Sequence, residues 1–332
     1  MSLQSLQAEF DNRCWDTGPP KELSFLTLSF SFFFTLLNIP GNTLVIIVVA
    51  KDPHRNLRTP FNYLMCNLAL ADLIVGLICD PISVYIHWKE VTDSEVTELD
   101  YQVNHLSYFI SCTASVLSLA AVAMERYLAI RDPHNYRSKC TEKRILLTIA
   151  GIWLFSLSLP WIYLNAGFIA YAFIFANSAV AVAVFISCFT YGLFLRAFKK
   201  RSRNSEKQHP AEDDNHRQPN DQNEDTLSRR NANTRREKAE QLEQRITKMF
   251  LVVLLALLCC YVPSTVLIYA LGFCKSCSCE TLHWFKDLQH LFVLANSSVN
   301  FFCYAFRSPR FVSAFKTMLK CRRENVSHEG VA

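Results

Sequence analysis

Three polar groups stand in stretches otherwise too apolar to hold them. Asp72 interrupts NLALADLIVGLICDP, Glu125-Arg126-Tyr127 closes the run AAVAMERYLAIRDP, and Asn296, Ser297 and Asn300 sit within LFVLANSSVNFFCYAF. A lone carboxylate at membrane depth is a functional-site hypothesis by default, against the plainer reading of a carboxylate satisfied by packing. Asn296 and Asn300 lie one helical turn apart, with Ser297 on an adjoining face. Ser115 precedes Arg126 by eleven residues, three turns along the same helix face. Asp72, Ser115, Asn296, Ser297 and Asn300 therefore suit coordination of an ion or water. Glu125 beside Arg126 reads either as charges snorkelling to headgroups or as a half-wet ion pair, worth about 1 kcal/mol, that biases a switch. Catalysis finds no footing. Asp72 and Asp80 are eight residues apart, too far to share a proton, and no glycine-rich phosphate loop is present. No catalytic residue and no cofactor is expected.

The elements that must position these groups are membrane spans. Hydrophobic residues are 51% of the 332, charged residues 19%, and the charges cluster. No Lys, Arg, Asp or Glu occurs over 23–50, 145–195, 249–274 or 288–306. A bilayer core needs roughly 20 apolar residues per helix, so the spacing predicts spans near 23–50, 60–86, 104–128, 145–163, 170–195, 246–272 and 287–306. Of the 34 Lys and Arg, 29 fall on one side of that arrangement. The positive-inside rule then places the N-terminus outside and the C-terminus in the cytoplasm of a multi-pass plasma-membrane protein. The basic surplus reads as topology and anionic-leaflet contact, not nucleic-acid binding. Residues 1–22 are a polar outside tail without the pattern of a cleavable signal peptide.

Between the spans, the loop 87–100 reads as an acidic, solvated face that also steers cations. Pro81 and Pro263 predict kinks, the latter a pivot. Residues 199–236 are too polar to build a core and read as a disordered loop; helix resumes from about Arg235. Ser308-Pro309 starts a short amphipathic helix lying on the membrane over 307–321, striped by Phe311, Phe315, Met318 and Leu319. Residues 322–332 form a tail. Cys321 is an acylation candidate, with a free thiol the equal alternative. Four of the 13 cysteines lie outside: Cys14, Cys274, Cys277 and Cys279. A bridge from Cys277 to Cys279 is sterically poor. One bridge within the loop from Cys274 and one from the loop to Cys14 are favoured, with a zinc site near His283 the rival.

Gly41-Asn42, Leu68 to Asp72, Glu125-Arg126-Tyr127, Trp153, Tyr191, Cys260-x-x-Pro263, Asn296-Ser297 and Asn300 to Tyr304 occur in order on the predicted spans. Together they resemble the rhodopsin-like (class A) G-protein-coupled receptors, from about Gly41 to Cys321. The resemblance implies an all-α, seven-transmembrane helix bundle with a short membrane-surface helix 8. It implies a sodium pocket at Asp72, Ser115, Asn296, Ser297 and Asn300. It implies an activation switch in which Arg126 is held by Glu125 and Glu243 at rest and released to meet a heterotrimeric G protein. Tyr191 and Tyr304 match two tyrosines that turn inward on activation. Arrestin and a receptor kinase are further expected partners, with an extracellular ligand and the lipid bilayer.

The departures point more narrowly. Phe301 and Ala183 stand at positions where a proline is usual, Tyr261 where a tryptophan switch is usual, and Tyr101 where a cysteine bridges to the second outer loop. A very short second outer loop without a cysteine, no proline in the fifth span and cysteines in the third outer loop are similar to melanocortin receptors, and cannabinoid and lysophospholipid receptors share part of this pattern. The melanocortin acidic cluster is missing, however, with Ile82, Tyr101 and His105 in its place. Tyr108 replaces the aspartate that binds amines in aminergic receptors, and Leu294 the retinal lysine of opsins. The expected ligand pocket is His105, Tyr108, Phe109, Cys112, Phe175, Tyr261, Ile268 and His290, mostly apolar. It suits a peptide, a lipid or a small aromatic. A degenerate, non-signalling receptor and a transporter are the rival readings.

Overall fold

The computed structural model describes residues 14, 17–53, 55, 57–131, 135–207, 223–307 and 311–317. They are almost wholly helical. Seven long helices run α1 (Lys21–Lys51), α2 (Pro60–Val91), α3 (Glu98–Arg131), α4 (Glu142–Ala166), α5 (Phe168–Lys207), α6 (Asn223–Phe273) and α7 (Cys279–Arg307). The first six contain segments long and apolar enough to cross a membrane. The seventh is the helix interrupted by Asn296, Ser297, Ser298 and Asn300, which lower its hydropathy without shortening it. A further helical stretch over 311–317 turns Phe311 and Ala314 inward. Ser308, Pro309, Met318, Leu319 and Cys321 lie outside the described residues.

Local sequence explains most boundaries. Thr59 caps α2, its hydroxyl accepting from the Asn62 amide, with Pro60 at the first helical position. Within α2, residues Val75–Cys79 adopt a π-helical turn directly ahead of Pro81. Proline lacks an N–H and crowds the carbonyl four residues back, and the wider turn absorbs both defects. Gly167, at φ 80°, separates α4 from α5 in a conformation that favours glycine.

Several boundaries differ from expectation: α3 begins at Glu98 and α7 at Cys279, each earlier than predicted, and two further differences bear on the site. The loop 199–236 is not wholly irregular: α5 continues to Lys207 and α6 begins at Asn223. Lys, Arg, Glu and Gln are good helix formers, and extending an existing helix avoids the cost of nucleation. Residues 208–222 lie outside the described set. The second helix also overshoots its predicted end at 86 and continues to Val91.

The helices pack around α3, whose inner positions are small or polar: Ser111, Ala114, Ser115 and Ser118 are buried. Trp153 of α4 donates its indole N–H to Asn67 Oδ1 (2.8 Å), and Asn67 Nδ2 donates to Ser118 Oγ (2.8 Å), tying α4, α2 and α3 together. One end of the bundle carries the amino-terminal tail, here the tail rim; the other carries Arg126, the basic rim. At the tail rim two disulfides, Cys14–Cys279 and Cys274–Cys277, hold the tail to the start of α7 and close the α6–α7 loop. They match the pairing favoured from the sequence. His283 lies with Cys14 and Cys279, its Nε2 2.9 Å from the Thr17 carbonyl.

Candidate functional site

The basic rim is built on the last turns of α3. Glu125 and Arg126 are each 3% exposed. Arg126 Nε donates to Glu125 Oε2 and Nη2 to Oε1, both at 2.5 Å, a bidentate pair. The hydroxyl of Tyr136, on the one-turn helix Tyr136–Lys139, also donates to Glu125 Oε1. Phe61 of α2 presents its ring face to the guanidinium, 4.7 Å from the centroid. The pair is therefore buried, neither snorkelling nor half-wet, because Tyr136 and Phe61 close over it. Partial burial and the Glu125 charge push the Tyr136 phenol well above its ordinary range, so it remains a donor. Tyr127 faces α5, its ring 5.1 Å from Phe189, and accepts from Arg131. Tyr191 is 54% exposed and stands outside this cluster. Glu243 and Tyr304 fall within α6 and α7, but their side chains lie outside the described residues.

Above the pair is the Asp72 group. Asp72 is fully buried; Ser115 Oγ donates to its Oδ1 (3.1 Å) and Asn300 Nδ2 to its Oδ2 (2.9 Å). Ser297 approaches the same carboxylate. Asn296 Oδ1 and Asn300 Oδ1 are buried acceptors without a donor. Four of the five residues named from the sequence, Asp72, Ser115, Ser297 and Asn300, thus meet; Asn296 is buried one turn before Asn300 on the same helix. What they present is a surplus of oxygen acceptors around one negative charge, the donor set a small hard cation takes. Pro263 lies inside α6, and Tyr261 is buried with its ring 6.4 Å from Phe175.

The tail rim departs from the expected ligand pocket. Phe109 is fully buried and fills the middle, its ring 4.6 Å from Tyr171 and 5.8 Å from Phe168. Tyr108 accepts from Gln289 Nε2 (2.8 Å), and Cys112 and Ile268 are packed shut. Space opens further out, in two clefts sharing Tyr101, His105, Phe168 and Lys286. One, of about 50 Å³, also meets His87, Glu90, Asp287 and His290; the other, of about 280 Å³, reaches Glu98 and Tyr163. Of the pocket residues expected from the sequence, only His105 and His290 line this space. The lining is charged and histidine-rich, where an apolar one was expected.

Glu90 explains part of that difference. It is not on a solvated acidic face: it accepts from Ser24 Oγ (2.8 Å) and Tyr101 Oη (2.9 Å) and pairs with His87 Nδ1 (2.7 Å). Asp287 lies 4.0 Å from the same His87 nitrogen and accepts from Thr27. Lys89 pairs with Asp100 at 3.1 Å, and Lys21 with Asp93. The extension of α2 by a turn carries His87 and Glu90 into the bundle. Their spacing at 87 and 90, with Ser24 and Thr27 on the facing helix, was the available signal.

The chain matches the model of the 7 transmembrane receptor (rhodopsin family) over residues 41–167 and 164–304. It belongs to that family, and is accordingly a multi-pass membrane protein. Among curated proteins it is similar to dopamine receptor 4 of Caenorhabditis elegans, 34% identical over 163 residues, 48% of this chain and 31% of that one. It is similar to 5-hydroxytryptamine receptor 1B of Felis catus, 39% identical over 142 residues (42% and 34%), and to tyramine receptor 1 of Locusta migratoria, 36% over 140 residues (42% and 28%). The matches span about a third of the length of these relatives. They are named for amines, and the expected nearness to melanocortin receptors is not confirmed. That expectation rested on a short second outer loop, an absent bridge and proline, and the cysteines before α7.

Proposed function

We propose that the chain is a G-protein-coupled receptor: a ligand arriving at the tail rim, on the outside, shifts the bundle so that Arg126 leaves Glu125 and meets a heterotrimeric G protein on the cytoplasmic side. The observation that carries this is the buried, bidentate Glu125–Arg126 pair capped by Tyr136. A guanidinium so fully satisfied has no role at a helix end unless its release does something, and its concealment fits a resting state. Twenty-nine basic residues on that side support the orientation. Arrestin and a receptor kinase would meet the same rim. The Asp72 group is read as a sodium site of the resting state. The amines of the relatives are not carried over, because Tyr108, bonded to Gln289, occupies the place of the amine-binding aspartate.

Expressing the full chain with a panel of G-protein dissociation sensors tests this. Glu125→Gln keeps the shape and removes the charge that holds Arg126, and basal signalling should rise several-fold at equal surface level. Unchanged basal signalling across the panel would sink the role of the pair. Sodium should stabilise the wild-type receptor against heat and leave Asp72→Asn unaffected; a wild type indifferent to sodium removes the ion pocket.

A further inference from the structure

A second intramembrane carboxylate lies outside both the switch and the Asp72 group. Asp80 stands in α2, two turns toward the tail rim from Asp72, and is 0% exposed. Asn38 Nδ2 of α1 donates to its Oδ2 at 2.8 Å. Two oxygens remain without a donor: Asp80 Oδ1 and Asn38 Oδ1. Asp80 forms no ion pair among the described residues. Its surroundings are neutral: Asn38 from α1, and Cys79 on its own helix, whose thiol faces Ser107 of α3. α1 comes this close because of Gly76, where an added Cβ would lie 2.7 Å from Asn38 Cβ.

An ionised carboxylate held by one amide in such a place leaves its charge uncompensated. A carboxylic acid does not. A proton on Asp80 Oδ1 would supply a donor for Asn38 Oδ1 while Asn38 Nδ2 continues to donate to Asp80 Oδ2. A single hydrogen would then satisfy both orphan oxygens and close a ring of two hydrogen bonds between the side chains.

We propose that Asp80 and Asn38 form a buried proton-binding site, loaded in the resting packing of α1 against α2. The proton comes from water at the tail rim. Polar groups line the seam between there and Asp80: Glu90 with Ser24 and His87, Asp287 with Thr27, then Ser31 with Ser83 (Oγ–Oγ 3.0 Å). The ring breaks when α1 and α2 part and water reaches Asp80, so alkaline conditions favour the parted state.

Infrared difference spectroscopy on the purified full-length receptor at neutral pH tests the site. A carboxylic-acid carbonyl band, shifted by deuterium exchange, is expected to vanish in Asp80→Asn and persist in Asp72→Asn. Absence of a band assignable to Asp80 overturns the proposal. Asp80→Asn keeps a neutral partner for Asn38, so surface expression should stay within about twofold of wild type. Its advantage in thermal stability over wild type should grow as pH rises. Loss of expression in Asp80→Asn, or a sodium-dependent stabilisation of wild type that this variant alone abolishes, would mean that Asp80 is charged and cation-bound, and the proton site falls.

Discussion

Tyr136 alters how Glu125 and Arg126 are understood. Glu125 and Arg126 could be found in the sequence because charges ending an apolar run are conspicuous. Tyr136 could not, since its contact with Glu125 depends on the chain folding back beneath α3, which no periodicity encodes. A hydrogen bond to a charged group is worth about 1.5–3 kcal/mol, and part of that holds Glu125 against Arg126. Tyr136→Phe is therefore expected to raise basal signalling by less than Glu125→Gln but measurably, at unchanged surface level. Glu125→Ala is a harsher change: it strands a buried guanidinium, typically costing about 3–5 kcal/mol. Its surface expression should fall below that of Glu125→Gln in a cell-surface binding assay to an appended epitope.

At the scale of elements, the same polar residues that build a site obscure the helix that carries it. α1 to α6 each include a strongly apolar stretch, whereas α7 owes its lower hydropathy to Asn296, Ser297, Ser298 and Asn300. Its charge-free run over 288–306 still gave it away. The outer end of α2 was harder to read, because Glu90 resembles its solvated neighbours until Ser24 and Tyr101 are brought against it. Phe301, unusual where a proline is common, is accommodated by α1: a Cβ on Gly41 would come within 2.5 Å of the Phe301 ring. Overpacking of this kind costs about 1–3 kcal/mol. Gly41→Ala should lower the thermal midpoint of the purified receptor, and adding Phe301→Leu should restore part of the loss, since residues in contact are not additive.

For the molecule as a whole, the two rims are held by different means. The basic rim is closed by an ion pair and a hydroxyl, which can separate and re-form. The tail rim is closed covalently: Cys14–Cys279 joins positions 265 residues apart and places Pro19 at the wall of one cleft. Replacing both cysteines with serine should reduce thermal stability and speed ligand association more than it changes basal signalling, since the tail is released and the Arg126 pair is untouched. Equal effects on basal signalling and on association would contradict this division of labour.

The π turn at Val75–Cys79 has a consequence for how this chain tolerates insertion and deletion. It contains one residue more than a regular helix would need over the same rise, and each residue turns the helix by about 100°. Everything beyond it, including Asp80, Ser83, His87 and Glu90, is shifted in sequence number by that surplus residue, while Asp72 before it is not. A single-residue deletion between 75 and 79 would convert the wide turn into a regular one and leave both the lower bundle and the outer third of α2 in register. The two ends of one helix are thus free to drift in sequence length independently, with the wide turn acting as the slip point between them.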